Sequence, residues 1–129
     1  MSSSEKRPGS IVWTDLSVEN AVEVKEFYRA VAGWTPRPVD MGGYEDFNMT
    51  LPEGRGSVAG ICHSRGANAD LPHQWLIYIV VEDLDVSMKE CWAQGGRVIT
   101  GPKPIGPGER FCVIRDPAGA VAALIQQAR

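Results

Sequence analysis

Apolar positions along the chain alternate between strand-like runs and helical stripes, and the alternation occurs twice. Ile11-Val-Trp-Thr-Asp-Leu16 reads as a short strand. Ala21, Val24, Phe27, Tyr28 and Val31 then recur at steps of three and four, the stripe of an amphipathic helix. Asn20 and Glu23 stand at capping-box spacing before that stripe, and Gly33 is the expected left-handed stop, so the helix is predicted over Ala21–Ala32. In the second half, Gln74 to Val81 is apolar almost without break, which predicts a strand buried on both faces. Asp83 and Asp85 are the N-cap candidates for a second helix. Val86, Met88, Cys91 and Trp92 form its stripe, and Gly95-Gly96 ends it. A shift of 63 residues carries Asn20 onto Asp83, Gly33 onto Gly96 and Trp13 onto Leu76, which points to a duplicated module.

Three strand candidates follow each helix. In the first half they are Thr35 to Val39, Tyr44 to Leu51 and Ser57 to Cys62; in the second, Arg97 to Thr100, Arg110 to Arg115 and Val121 to Gln126. Met41-Gly-Gly43 and Pro52 to Gly56 are turns, and Asp116-Pro-Ala-Gly119 has the Pro and Gly placement of a type I turn. The Gly- and Pro-rich segment Gly101 to Gly108 is expected to be an irregular loop. The order is therefore β-α-β-β-β twice, an α+β chain. Residues 1–10 are expected to be a flexible tail ahead of one domain over 11–129. Within it, the first module runs over about 11–62, a polar linker over 63–73 and the second module over about 74–127.

At 129 residues the chain is long enough for one domain with a core of its own. Its formal net charge of −3 argues against a nucleic-acid binder. Cys62, Cys91 and Cys112 show no C-x-x-C spacing and cannot all pair, which disfavours a disulfide scaffold and suits a reducing cytoplasm. No apolar run approaches the roughly 20 residues that span a bilayer, and no apolar segment of an export signal follows the basic residues near the start. The expected location is the cytoplasm, with no membrane partner.

Phe27-Tyr28 with Gly33-Trp34 behind it, Gly95-Gly96, and the Asp116-Pro-x-Gly119 turn before the last strand resemble the vicinal oxygen chelate superfamily, the glyoxalase and bleomycin-resistance fold. The resemblance covers about Ile11 to Gln126 and is nearest a glyoxalase-like branch. It implies two tandem βαβββ modules that curl into an open, cup-shaped mixed barrel. It also implies a metal held by His, Gln or Glu on particular strands. Those positions fall on Trp13, Gly60, Leu76 and Ala123, none of which has a side-chain donor for a divalent cation. The expectation is no metal and no cofactor.

The candidate ligand-binding residues are Trp13, Asp15, Tyr78 and Arg110: an aromatic floor, a carboxylate on the same strand face, a phenol two residues beyond Leu76, and a cation at the mouth. Tyr44 and Phe47 flank the second turn. His63 and His73 are read as surface residues, Cys91 as core, and Cys112 as a buried, inert thiol. No catalytic residue is assigned. Two functions follow. One is a metal-independent small-molecule-binding protein of this fold. The other is a metal-dependent lyase, dioxygenase or thiol transferase with an atypical site drawn from Asp15, Glu45, Tyr78 or a histidine. Exposed edge strands and apolar faces lead to the further expectation of a homodimer.

Overall fold

The structure, a computed structural model, describes residues 6–128. Its elements run β1 (Ile11–Val18), α1 (Ala21–Ala32), β2 (Thr35–Asp40), β3 (Glu45–Thr50), β4 (Ser57–His63), β5 (Trp75–Val80), α2 (Leu84–Ala93), β6 (Arg97–Gly106), β7 (Glu109–Arg115) and β8 (Val121–Gln126), with a short 3₁₀ turn at Gly66–Asn68. This is the βαβββ order twice, in an α+β chain. By contact the chain divides into two units: Thr14–Trp75, and the residues up to Trp13 together with those from Leu76 onward.

In the Thr14–Trp75 unit the strand order is β1-β4-β3-β2, with β1 and β4 parallel and the other pairs antiparallel. Leu16, Val18, Phe47, Met49, Ala59 and Ile61 form its buried core with Ala21 of α1. Strand alternation then puts Asp15, Ser17, Asp46, Asn48, Thr50, Gly60 and Cys62 on the opposite face. In the other unit the order is β5-β8-β7-β6, with β5 and β8 parallel. Cys112 and Leu124 pack with Leu84 under α2, joined by Ile79, Val81, Met88, Val98 and Ile114. The duplication extends to strand register. Asp15 pairs with Gly60, Leu16 with Ile61 and Ser17 with Cys62; 63 residues on, Tyr78 pairs with Ala123, Ile79 with Leu124 and Val80 with Ile125.

Several expectations are corrected. Gly101–Gly106 is not an irregular loop but the second half of β6, paired with β7 through Lys103 to Phe111 and Pro104 to Arg110, with register shifts. β6 is the last strand of its set, with a neighbour on one side only, the place in a sheet where proline is tolerated. Gly101 fits because its φ is +93° and a Cβ would lie 2.8 Å from the Phe111 carbonyl oxygen. The Asn20 side chain makes no cap hydrogen bond, whereas Asp83 accepts from the N–H groups of Asp85 and Val86. Only part of each helical stripe is interior: Ala21 is buried, but Phe27, Val31, Val86 and Trp92 are exposed. β5 is not buried on both faces, since Ile77 is exposed. Gly9 and Ser10, expected in the tail, exchange backbone hydrogen bonds with Val80; residues 1–5 lie outside the described part.

The remaining punctuation acts as its chemistry dictates. Gly33 takes φ +76° and gives its N–H to Arg29. At the Asp116 turn, Gly119 N–H reaches the Asp116 carbonyl, and the carboxylate of Asp116 accepts from Ala118 and Ala120. Trp75 donates its indole N–H to the Tyr28 hydroxyl at 3.1 Å, fastening the end of the polar linker to α1.

Candidate functional site

Trp13 and Asp15 alternate on β1, both half-buried. Asp15 pairs with Gly60, and Gly60 on its other side pairs with Asn48, which pairs with Arg37 on β2. One row therefore runs Asp15-Gly60-Asn48-Arg37 across four strands, on the face away from α1. Next to it, Ser17 pairs with Cys62. Within the other unit, Tyr78 pairs with Ala123 on the face away from α2, and its ring lies 6.3 Å from that of Phe111. Gly60, Leu76 and Ala123 are buried, and no side-chain oxygen, nitrogen or sulfur is available from them or from a Trp13 acceptor atom to hold a cation. Among the described residues, no three His, Cys, Asp or Glu side chains gather in a way that fits a metal ion. The residues present do not fit the metal that the resemblance implies.

Arg110 is not beside Tyr78. It shares a face of β7 with Cys112 and Ile114, the face covered by α2, and ion-pairs with Asp85 of that helix at 3.2 Å. Gln126, the cross-strand partner of Arg110, lies on the same side and accepts the Leu84 N–H with its side-chain oxygen at 2.7 Å. The sequence places Arg110 at a strand entry, but only the register shows which face it takes.

His63 is not a surface residue. Its side chain is 17% exposed, against 8% for that of Asp46, whose Oδ1 accepts the His63 backbone N–H at 2.8 Å and lies 3.3 Å from Nδ1. The Tyr44 ring stands edge-on to the imidazole at 5.5 Å, and Arg65 stacks over Tyr44 at 3.9 Å. Phe47 belongs to the core under α1. Cys62 adjoins the same group. Burial pushes its thiol well above the usual range, the Asp15 and Asp46 charges push it the same way, and a hydrogen bond to Asp46 adds to this. Sequence reasoning misses Asp46, because it lies 17 residues from His63 and no local spacing signals the pair. His73 is exposed, as expected.

Cys112 is fully buried, and burial holds its thiol up at about 11; Cys91 is only half-buried, not core. A cleft of about 540 Å³ lies between α1 and β2 and is lined by Val22, Pro36, Pro38 and Phe47. Its cations, Lys25 and Arg29, are both taken up by Glu26 at 2.9 and 3.0 Å, so it offers no free charge for an anion.

Comparison with known proteins adds the following. A family model described as the Glyoxalase/Bleomycin resistance protein/Dioxygenase superfamily matches residues 10–124. A protein of Mycobacterium tuberculosis named putative glyoxylase CFP32 is 28% identical over 120 residues, covering 93% of this chain and 45% of that protein. The anthracycline biosynthesis protein DnrV of Streptomyces peucetius is 30% identical over 128 residues, covering 91% and 46%. The chain thus spans about half the length of the curated relatives it matches. Among solved structures, hypothetical protein BH1468 of Bacillus halodurans superposes with a TM-score of 0.61 at 14% identity, covering 95% of this chain and 97% of that one. A methylmalonyl-CoA epimerase in complex with methylmalonyl-CoA superposes with a TM-score of 0.57 at 17% identity, covering 95% and 96%. These similarities show the fold.

Proposed function

The chain belongs to the Glyoxalase/Bleomycin resistance protein/Dioxygenase superfamily, and from that premise we propose that it is a small-molecule-binding protein that works without a metal at the superfamily's ligand positions. The observation that carries this reading is the donor set: Trp13, Gly60, Leu76 and Ala123 offer nothing to a divalent cation. Asp15 is the proposed ligand contact on β1, with Trp13 as the aromatic group on the same strand, and Tyr78 is a proposed contact on the face of its own unit away from α2. Arg110 leaves the proposed set because Asp85 holds it on the α2 side.

The relatives' names supply the chemistry to try first. An anthracycline is planar and aromatic, and the relative from Streptomyces peucetius is named for the biosynthesis of that class. A planar aromatic ligand suits stacking on Trp13. The proposed setting is the cytoplasm, supported by three unpaired cysteines, and no helix among the described residues is long and apolar enough to cross a membrane. A homodimer is proposed too, supported by relatives about twice as long as this chain and by exposed Val22, Phe27 and Val31 on α1.

Two measurements test the reading. Elemental analysis of protein purified without chelator should find well under one metal ion per chain; a stoichiometric metal that survives dialysis overturns metal independence and favours the metal-dependent enzyme. Titration with a planar aromatic such as an anthracycline should change tryptophan fluorescence, and Trp13→Phe should abolish the change while Trp92→Phe, on α2, leaves it. A monomeric mass by light scattering at micromolar concentration removes the dimer.

A further inference from the structure

All the buried polar side chains among the described residues lie in one unit and on one face. Ser17, Asp46 and Thr50 are 3%, 6% and 2% exposed, and each is on the face of its strand away from α1. The duplicated architecture provides an internal control. Where the first module has Asp15, Ser17 and Cys62, the second has Tyr78, Val80 and Ile125 at the same strand pairing, and Phe111 and Val113 occupy that face of β7. The fold therefore forms these strands with apolar residues on this face. Polarity there is not a requirement of the architecture.

A second observation points outward from the protein's own bonding. Thr50 Oγ1 is buried and has no hydrogen-bond partner. Buried hydroxyls ordinarily find one, and an unmet one is a standing cost. Thr50 lies two residues from Asn48, on the same side of β3, and Asn48 flanks Gly60 opposite Asp15. Glycine in the middle of that row sets no side chain between the carboxylate and the amide.

We propose that this face receives the polar end of the ligand and selects an end bearing hydrogen-bond donors, an amine or a hydroxyl, over one bearing a carboxylate. This rests on the small-molecule reading above. Asp15 and Asp46 accept and repel like charge, Asn48 and Thr50 can accept as well as donate, and the cation of the row, Arg37, sits exposed at its outer end on β2. The Cys62 thiol, raised first by its burial, is pushed the same way by the Asp15 and Asp46 charges.

The test uses three probes of one shape: 1-naphthylmethylamine, 1-naphthylmethanol and 1-naphthoate, titrated into the full chain labelled with nitrogen-15. The amine and the alcohol should each shift the Gly60 amide and the Asn48 side-chain amide, and each should bind about tenfold or more tighter than naphthoate. Asp15→Asn should shrink the amine's advantage. Thr50→Val, nearly isosteric and free of the orphan hydroxyl, should fold at least as well as the parent and weaken the alcohol. If naphthoate binds the same amides as tightly as the others, or the shifts fall away from Gly60 and Asn48, the donor-selecting face is overturned while small-molecule binding stands. If no probe shifts any amide at millimolar concentration, both readings fall.

Discussion

The Asp46 carboxylate closes on the first residue beyond its neighbouring strand row: Oδ1 takes the backbone N–H of His63 at 2.8 Å and sits 3.3 Å from the same residue's Nδ1. One oxygen thus fixes both the backbone and the ring of the residue that ends β4. Truncating Asp46 leaves a partly buried N–H unmet, and such a loss costs about 1–3 kcal/mol. Asp46→Ala should lower the urea midpoint accordingly. Asp46→Asn keeps an acceptor oxygen and should recover much of the difference. Equal stability of the two variants would show that the charge, not the acceptor, matters.

The buried thiols give the fold a sign of pH dependence on the alkaline side. Cys62 is raised by burial first and then by Asp15 and Asp46; Cys112 is raised to about 11, again by burial first. Above the ordinary value of 9.0 the unfolded thiols lose protons that the folded ones keep. The unfolded state then binds fewer protons, so stability falls as pH rises, by up to about 1.4 kcal/mol per pH unit for each thiol until its folded value is reached. Melting curves between about pH 8 and about pH 10.5 should slope downward, and less steeply in Cys62→Ala/Cys112→Ala. An unchanged slope in the double variant removes the thiols as its cause. In the native protein both thiols should also react slowly with alkylating reagents at neutral pH.

What the sequence made legible and what it did not divide along a physical line. α1 was readable to its end residues because the apolar spacing and Gly33 act within a few positions of one another. The duplication was readable because the 63-residue shift reappears in the register of β1 with β4 and of β5 with β8. The β6 extension was not: Pro102 and Pro104 argue locally against a strand, and only its place at the edge makes them acceptable. The Asp46–His63 pair and the side of the sheet taken by Arg110 depend on which strand lies beside which, and no neighbouring residue encodes that. The unbroken apolar run from Gln74 to Val81 predicts burial on both faces, yet Ile77 is exposed, because a run of apolar residues does not tell which face is covered.

The two helix starts differ in a way that mutation can read. Asp83 accepts the N–H groups of Asp85 and Val86 at 3.0 and 3.2 Å, satisfying donors that the first turn of α2 cannot use internally. Asn20 has the right residue type but makes no such bond. Asp83→Ala should therefore cost about 1 kcal/mol, a typical cap loss, while Asn20→Ala should cost little. Thermal unfolding of the two variants side by side checks this, and a larger loss at Asn20 would contradict the assignment of the caps.

Arg110 and Asp85 offer the complementary contrast with Asp15. Their ion pair spans 3.2 Å between side chains that are 34% and 63% exposed, so solvent and salt screen it. Exposed pairs of this kind contribute about 0–1 kcal/mol. Arg110→Gln should shift stability by no more than that, with the shift fading in high salt. Arg110 lies on the α2 side of β7, whereas Tyr78 lies across the sheet with Ala123 and Val113. The same variant should therefore leave the affinity for 1-naphthylmethylamine unchanged, while Asp15→Asn reduces it. A loss of amine affinity in Arg110→Gln equal to that in Asp15→Asn would return the arginine to the ligand site and require β7 to present it on the other face, a one-residue register change that the pairing of Arg110 with Gln126 does not permit.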